Sequence, residues 1–195
     1  MTVTKSPALL WLGAAFFLSL AACGGATSAA RPESRQNAPS PELVQWTYQP
    51  NGLTLNLTAE ADLNPFEGFT HNLLLCVYQL SDPTLFEALS ASEGGIEKLL
   101  TCASLDPGMV EAQRHFVSPG ESTHLVLARA AGARYVGLVA GYNDLQPGKA
   151  TALHPFPVTA HRHGWWPWSK AYAPGTLTLQ ILLNANSIHS TGVEQ

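Results

Sequence analysis

The stretch Leu53-Thr54-Leu55-Asn56-Leu57-Thr58-Ala59-Glu60 decides the fold class. Its apolar residues fall at every second position, and a period of two puts all of them on one face of an extended strand, with the polar ones on the other. A strand so patterned is half buried, and Asn51-Gly52 before it is a turn signal. Downstream, residues 62–70 break the alternation with Asn64-Pro65 and Gly68, and residues 72–80 form a second, more apolar strand. The connection is longer than the roughly 2 to 5 residues of an ordinary hairpin loop.

Asp82-Pro83 follows at once, a helix start with Asp as cap and Pro in the first turn, and Leu85, Phe86 and Leu89 share one face. A second helical piece is expected at Ile96, Leu99 and Leu100, separated from the first by Gly94-Gly95. Short strands are then predicted at residues 113–117, 123–127, 135–142, 151–158 and 176–183, punctuated by Pro119-Gly120, Gly132, Pro147-Gly148 and Pro174-Gly175. Turns at this spacing favour an all-β sandwich of two sheets. Residues 135–140 are apolar without alternation, as in a strand covered on both faces.

Upstream, residues 24–41 are rich in Ala, Ser, Pro and Gly and read as a flexible tether. Before them lies an export signal, with Lys5, a nearly unbroken apolar run over residues 8–22 and no acidic residue. The run is too short for a spanning helix, and no basic flank follows it. It ends in Leu20-Ala21-Ala22-Cys23, which resembles the lipobox of bacterial lipoproteins, so Cys23 is the expected lipidation site and first mature residue. An ordinary secretory signal before a chance cysteine is the alternative. By resemblance to lipoprotein sorting rules, Gly24 points to the outer membrane. The expected organisation is a signal peptide at 1–22, a lipidated tether at 23–45 and a β-sandwich domain at 46–195.

Without Lys5 the mature chain holds 9 basic and 14 acidic residues, and a net charge of −5 disfavours nucleic acid and anionic lipid headgroups as electrostatic partners. Once Cys23 is acylated, Cys76 and Cys102 remain. In an oxidising periplasm they form a disulfide or stay as two buried thiols, and spacing alone does not choose.

Several separated segments carry a family resemblance: Val77-Tyr78-Gln79-Leu80-Ser81-Asp82-Pro83, Ala91-Ser92-Glu93-Gly94-Gly95, Gly132-Ala133-Arg134-Tyr135-Val136-Gly137 and Val139-Ala140-Gly141-Tyr142. With the lipobox, they resemble the type VI secretion lipoproteins called TssJ or VasD, over roughly residues 53–183. The resemblance implies a transthyretin-like fold, two packed sheets with a short helical insertion after the second strand. It also implies a non-catalytic role: anchoring the secretion membrane complex by binding the periplasmic C-terminal region of the inner-membrane component TssM. The family's partner-binding element is the loop after the first strand, here residues 61–70. Leu63, Pro65, Phe66 and Phe69 place apolar groups where a connection is normally polar, next to Asn64, with Asp62 and Glu67 as a rim. The competing expectation is that Phe66 and Phe69 fold back on the sandwich edge.

Other candidates carry less. His161 and His163, with His154 nearby, could face one way on a strand, but a third ligand is not assured and no metal motif accompanies them, so a polar turn is expected at residues 161–164. Trp165, Trp166 and Trp168 either pack on the sandwich or a subunit, or meet an amphipathic surface such as a membrane interface. Ser118 and Ser122 are turn residues, and no nucleophile with a base, phosphate loop or paired carboxylate is recognisable. No cofactor is expected, and a periplasmic ligand- or metal-binding lipoprotein is the alternative to the assembly role, with a small hydrolase behind it.

Overall fold

In the computed structural model, which describes residues 2, 37–162 and 170–194, the alternating leucines lie in β1 (Gln49–Ala59). Leu53, Leu55 and Leu57 are buried while Thr54, Asn56 and Thr58 look outward. The strand pairs antiparallel with β4 (Ser122–Arg129) on one side and parallel with β9 (Leu177–Leu183) on the other. Leu55 thus sits level with Leu125 and Leu179, so side chains from three strands form one apolar layer. Adding β10 (Ile188–Glu194) at the edge gives a four-stranded sheet in the order β10-β9-β1-β4.

The second sheet has the order β3-β2-β5-β6, formed by β2 (Leu73–Leu80), β3 (Met109–Val117), β5 (Tyr135–Gly141) and β6 (Thr151–Pro155). Its central strands β2 and β5 are buried almost throughout, because two layers cover them. One is the first sheet. The other is the helical excursion α1 (Thr84–Ser90) and α2 (Glu93–Leu99). Phe86 of α1 is buried over this sheet, with the Tyr78 ring at 6.0 Å and 61° in an edge-to-face contact. The Tyr78 hydroxyl donates to the Leu99 carbonyl, and burial pushes the phenol above its ordinary pKa. A disulfide between Cys76 of β2 and Cys102, with Cα atoms 5.3 Å apart, ties the segment after α2 to the same strand. The two-sheet sandwich with its helical insertion after the second strand is therefore the fold.

Several details differ from the sequence reading. The helices are parted at Ala91-Ser92, not at the glycines: the Ser92 side chain caps α2 by accepting from the Gly95 N–H at 3.2 Å, which puts Gly94 and Gly95 inside its first turn. The strand expected at 151–158 stops at Pro155, and Val158 opens a separate strand β7 (Val158–Arg162) that pairs with β8 (Lys170–Pro174). His161 and Arg162 are therefore strand residues and not a turn. Residues 38–44, assigned to the tether, belong to the fold. Ala38 pairs with Tyr172 of β8, exchanging both backbone hydrogen bonds at 2.9 Å, and Val44 is buried.

The two ends of β1 face different tasks. At its start, Arg129 is 1% exposed, its guanidinium 5.3 Å from the Trp46 ring and 5.7 Å from that of Phe156. It donates to the carbonyls of Thr47 at 2.9 Å and Gly175 at 3.2 Å, latching the entering chain to the connection between β8 and β9. At its finish, Ala59 lies level with Leu183. Eleven extended residues separate these ends, roughly 35 Å at ~3.3 Å per residue.

Gly137 is required by the close approach of α1. A Cβ there would fall 2.5 Å from Cε2 of the buried Phe86 ring, so the ring would have to shift. Gly137→Ala should lower unfolding free energy by about 1–3 kcal/mol, read as a reduced urea midpoint at unchanged slope. An unshifted midpoint would mean that the helical layer is not packed as described.

Candidate functional site

The connection from β1 to β2, residues 60–72, is fastened at its base and bare at its tip. The Glu60 N–H donates to the Leu183 carbonyl at 2.9 Å and the Leu63 N–H to that of Glu60 at 3.2 Å. This turn swings Leu63 inward, where it is fully buried in the core. Asn64 takes a left-handed conformation (φ 49°), which asparagine tolerates better than most residues. Its N–H reaches the Ala185 carbonyl at 3.0 Å. Its side-chain oxygen accepts from the Asn143 N–H at 2.8 Å and from Asn143 Nδ2 at 3.0 Å, and its amide donates to the Asn72 carbonyl at 3.3 Å. Leu63 and Asn64 are thus framework residues, a correction to their expected place in the contact surface: a side chain committed to the core, or to Asn72 and Asn143, is not offered outward.

Beyond them the chain makes a tight reversal. Phe66 and Phe69 exchange backbone hydrogen bonds at 2.8 and 3.0 Å, and the two residues between them, Glu67 (φ 50°) and Gly68 (φ 84°), both carry positive φ, as in the tight turns of β-hairpins. Side chains directly opposite on an antiparallel rung project to the same side. Phe66 is 52% and Phe69 73% exposed, so neither folds back into the sandwich, and the competing expectation fails for both. The nearest ring to Phe66 is His71, at 6.2 Å and edge-on. Asp62, Pro65 and Glu67 are exposed around the pair, and Glu60 is exposed where the loop departs.

Asn143, in the connection from β5 to β6, supports the loop and was not anticipated. A lone asparagine 79 residues downstream gives no local signal of that contact. The Phe-Glu-Gly-Phe run, in contrast, carries a local signal that the sequence reading did not use, a glycine at the second of the two turn positions. Beside Asn143, Tyr142 is buried with its hydroxyl unpartnered among the described residues, and burial together with the charge of Glu60 holds that hydroxyl protonated well above the usual tyrosine range.

The histidines are spent singly. His154 Nε2 lies 2.6 Å from Ser190 Oγ and His161 Nε2 lies 2.6 Å from Asn37 Oδ1. His163, Trp165, Trp166 and Trp168 lie outside the described residues, as do Cys23, the segment expected to be a signal peptide apart from residue 2, and the expected tether up to residue 36.

Residues 51–186 match the model of a protein family described as type VI secretion lipoprotein, VasD, EvfM, TssJ. The chain belongs to this type VI secretion lipoprotein family, whose members are structural, membrane-associated components of the secretion machine and not a known enzyme family. Among solved structures it resembles the type VI lipoprotein TssJ1 from Pseudomonas aeruginosa, with a TM-score of 0.54, 23% identity, and coverage of 75% of this chain and 96% of that one. Lip from Serratia marcescens, a membrane-bound component of the type VI secretion system, gives 0.54 at 20% identity over 71% and 96% of the two chains. A chain in the structure of the TssM C-terminal domain from EAEC gives 0.52 at 16% identity over 72% and 98%. At these identities the likeness is one of fold. No curated protein matches the chain in sequence.

Asn64→Ala should cost about 1–3 kcal/mol by removing the hydrogen bonds that its buried side chain makes to Asn143 and Asn72. Amide exchange at Phe66 and Phe69 should then quicken roughly tenfold or more, while the strand amides of β1 keep their protection. Equal exchange in both proteins would show that the base does not hold the tip.

Proposed function

We propose that this chain is an anchoring link of the secretion membrane complex. Signal cleavage after residue 22 leaves Cys23 as an acylated first residue, and the acyl chains hold the protein at the outer membrane, facing the periplasm. A single chain of this kind binds only marginally, whereas several anchor stably. The exposed Phe66–Phe69 pair then docks the periplasmic C-terminal region of TssM, with Asp62 and Glu67 at the rim of the contact.

One observation carries the reading: two large aromatic side chains stand exposed on a braced turn. A mobile loop would pay an ordering cost on binding, and this one has already paid it through Asn64 and the Phe66–Phe69 rung. Exposed aromatics that fill a partner's pockets dominate affinity, while the charged rim sets encounter rate and specificity. The turn also leaves the sandwich at the finish of β1, about a strand's length from the end the tether enters, so a lipid anchor and a protein contact would not compete for space.

Phe66→Ala and Phe69→Ala should each weaken binding to the purified periplasmic C-terminal region of TssM by about 30-fold, a loss of roughly 2 kcal/mol, mostly through faster dissociation. The unfolding midpoint should not change, because both side chains are solvent-exposed. Wild-type affinity in the double variant would reject the loop as the contact and leave the family assignment untouched.

A further inference from the structure

Four connections meet at the finish of β1. Besides residues 60–72, they are the turn from β3 to β4 at residues 118–121, the connection from β5 to β6 at residues 142–150, and the turn from β9 to β10 at residues 184–187. Backbone bonds join them. The Gly120 N–H donates to the Glu60 carbonyl at 3.0 Å, the Ala59 N–H to that of Glu121 at 2.8 Å and the Ile188 N–H to that of Lys149 at 2.8 Å. Asn64, bonded to Ala185 and Asn143, draws the remaining segments together.

These four segments carry the carboxylates of Glu60, Asp62, Glu67, Glu121 and Asp144, against a single basic side chain, Lys149. None of the five forms an ion pair among the described residues. Like charges gathered without counter-ions repel one another and work against the fold. Two of them are nevertheless held in place. Glu121 accepts from the Ser118 N–H at 2.8 Å and from the Thr123 hydroxyl at 2.6 Å, bonds that keep its carboxyl below the ordinary range and so ionised. Asp144 accepts from Gln146 Nε2. The Tyr142 hydroxyl, buried and unpartnered among the described residues, lies in the field of Glu60 at the same end.

The arrangement suits a broad surface better than an ion. Among the described residues no group of three or more acidic, histidine or cysteine side chains could hold a metal, so the carboxylates are spread and do not converge. They occupy the connections that adjoin the turn bearing the exposed Phe66 and Phe69, an independent sign that this end meets another protein. An apolar centre within a charged rim is the usual anatomy of such a contact.

We propose that Glu60, Glu121 and Asp144 extend the docking surface beyond the loop, and that the partner's face opposite them is rich in lysine and arginine. This rests on the docking reading given above and adds to it two neighbouring connections and the charge of the partner. Fixed, unpaired carboxylates draw a basic face in by steering and leave the holding to the phenylalanines.

Association and dissociation rates of the mature chain with the periplasmic C-terminal region of TssM, measured in EDTA, test this. Association of the unaltered chain should slow about tenfold from low to high salt. E60Q/E121Q/D144N should associate about tenfold more slowly at low salt, converge with the unaltered chain at high salt, and dissociate at the same rate. Should that variant lower the unfolding midpoint, E60Q/D144N, which keeps the Glu121 bonds, is read in its place, with about a fivefold slowing expected. Association indifferent to salt and to these substitutions, or dependent on a divalent cation, would overturn the proposal. The docking reading is judged on the other rate. It stands if F66A/F69A dissociates faster, whatever the charge variants do, and it falls, taking this proposal with it, if the unaltered chain does not bind.

Discussion

Strand β1 is hydrogen-bonded along both edges, and the positions of both ends of the sandwich follow from that. Its pairing with β4 is antiparallel and with β9 parallel, and its leucines fill the space between the sheets. A parallel partner more than a hundred residues away in sequence means that nearly the whole domain closes over this one strand. Slipping β1 by one residue would turn Leu53, Leu55 and Leu57 to solvent, so its register is held by the core itself. The entering chain and the departing loop are therefore fixed relative to each other by an extended backbone that cannot lengthen further. A pull applied between them runs along the strand and loads few of the tertiary contacts.

The second sheet supplies the rigidity that β1 alone cannot. Its central strands have no solvent face, since Phe86, Ile96 and Leu99 roof the side turned away from the first sheet. The disulfide at Cys76 and the Tyr78 hydroxyl bind that roof to β2. Because β2 begins where the loop of residues 60–72 ends, the loop is clamped between two strands that are each secured independently. Asn64 joins them by bonding to Asn143 and Asn72 at once. The strained conformation of Glu67 is affordable only because its neighbours leave the chain no other path.

The parts of this arrangement that were legible in the sequence are those with a one-sided or two-sided environment along a whole element. Alternation marked β1, and the unbroken apolar run of residues 135–140 marked the doubly covered β5. What was not legible depends on partners distant in the chain. β10 reads Ile-His-Ser-Thr-Gly-Val-Glu, with no apolar period, and becomes a strand because β9 offers it an unpaired edge. β7 and β8 are too short for a pattern and are defined by each other and by Ala38. In the loop, Leu63 and the two phenylalanines look alike as apolar residues in a connection. The turn at Glu60 and the left-handed Asn64 separate them, sending one into the core and leaving the others in water.

The central claim is that the molecule holds a partner by the turn after β1 and by no part of its flat sheet face. A photo-crosslinking amino acid placed at Phe69 in cells that assemble the secretion machine addresses it directly, with Val126 on the exposed face of β4 as the comparison site. The account predicts a crosslink from position 69 to the periplasmic region of TssM and none from position 126. A crosslink from position 126 with none from position 69 would contradict it.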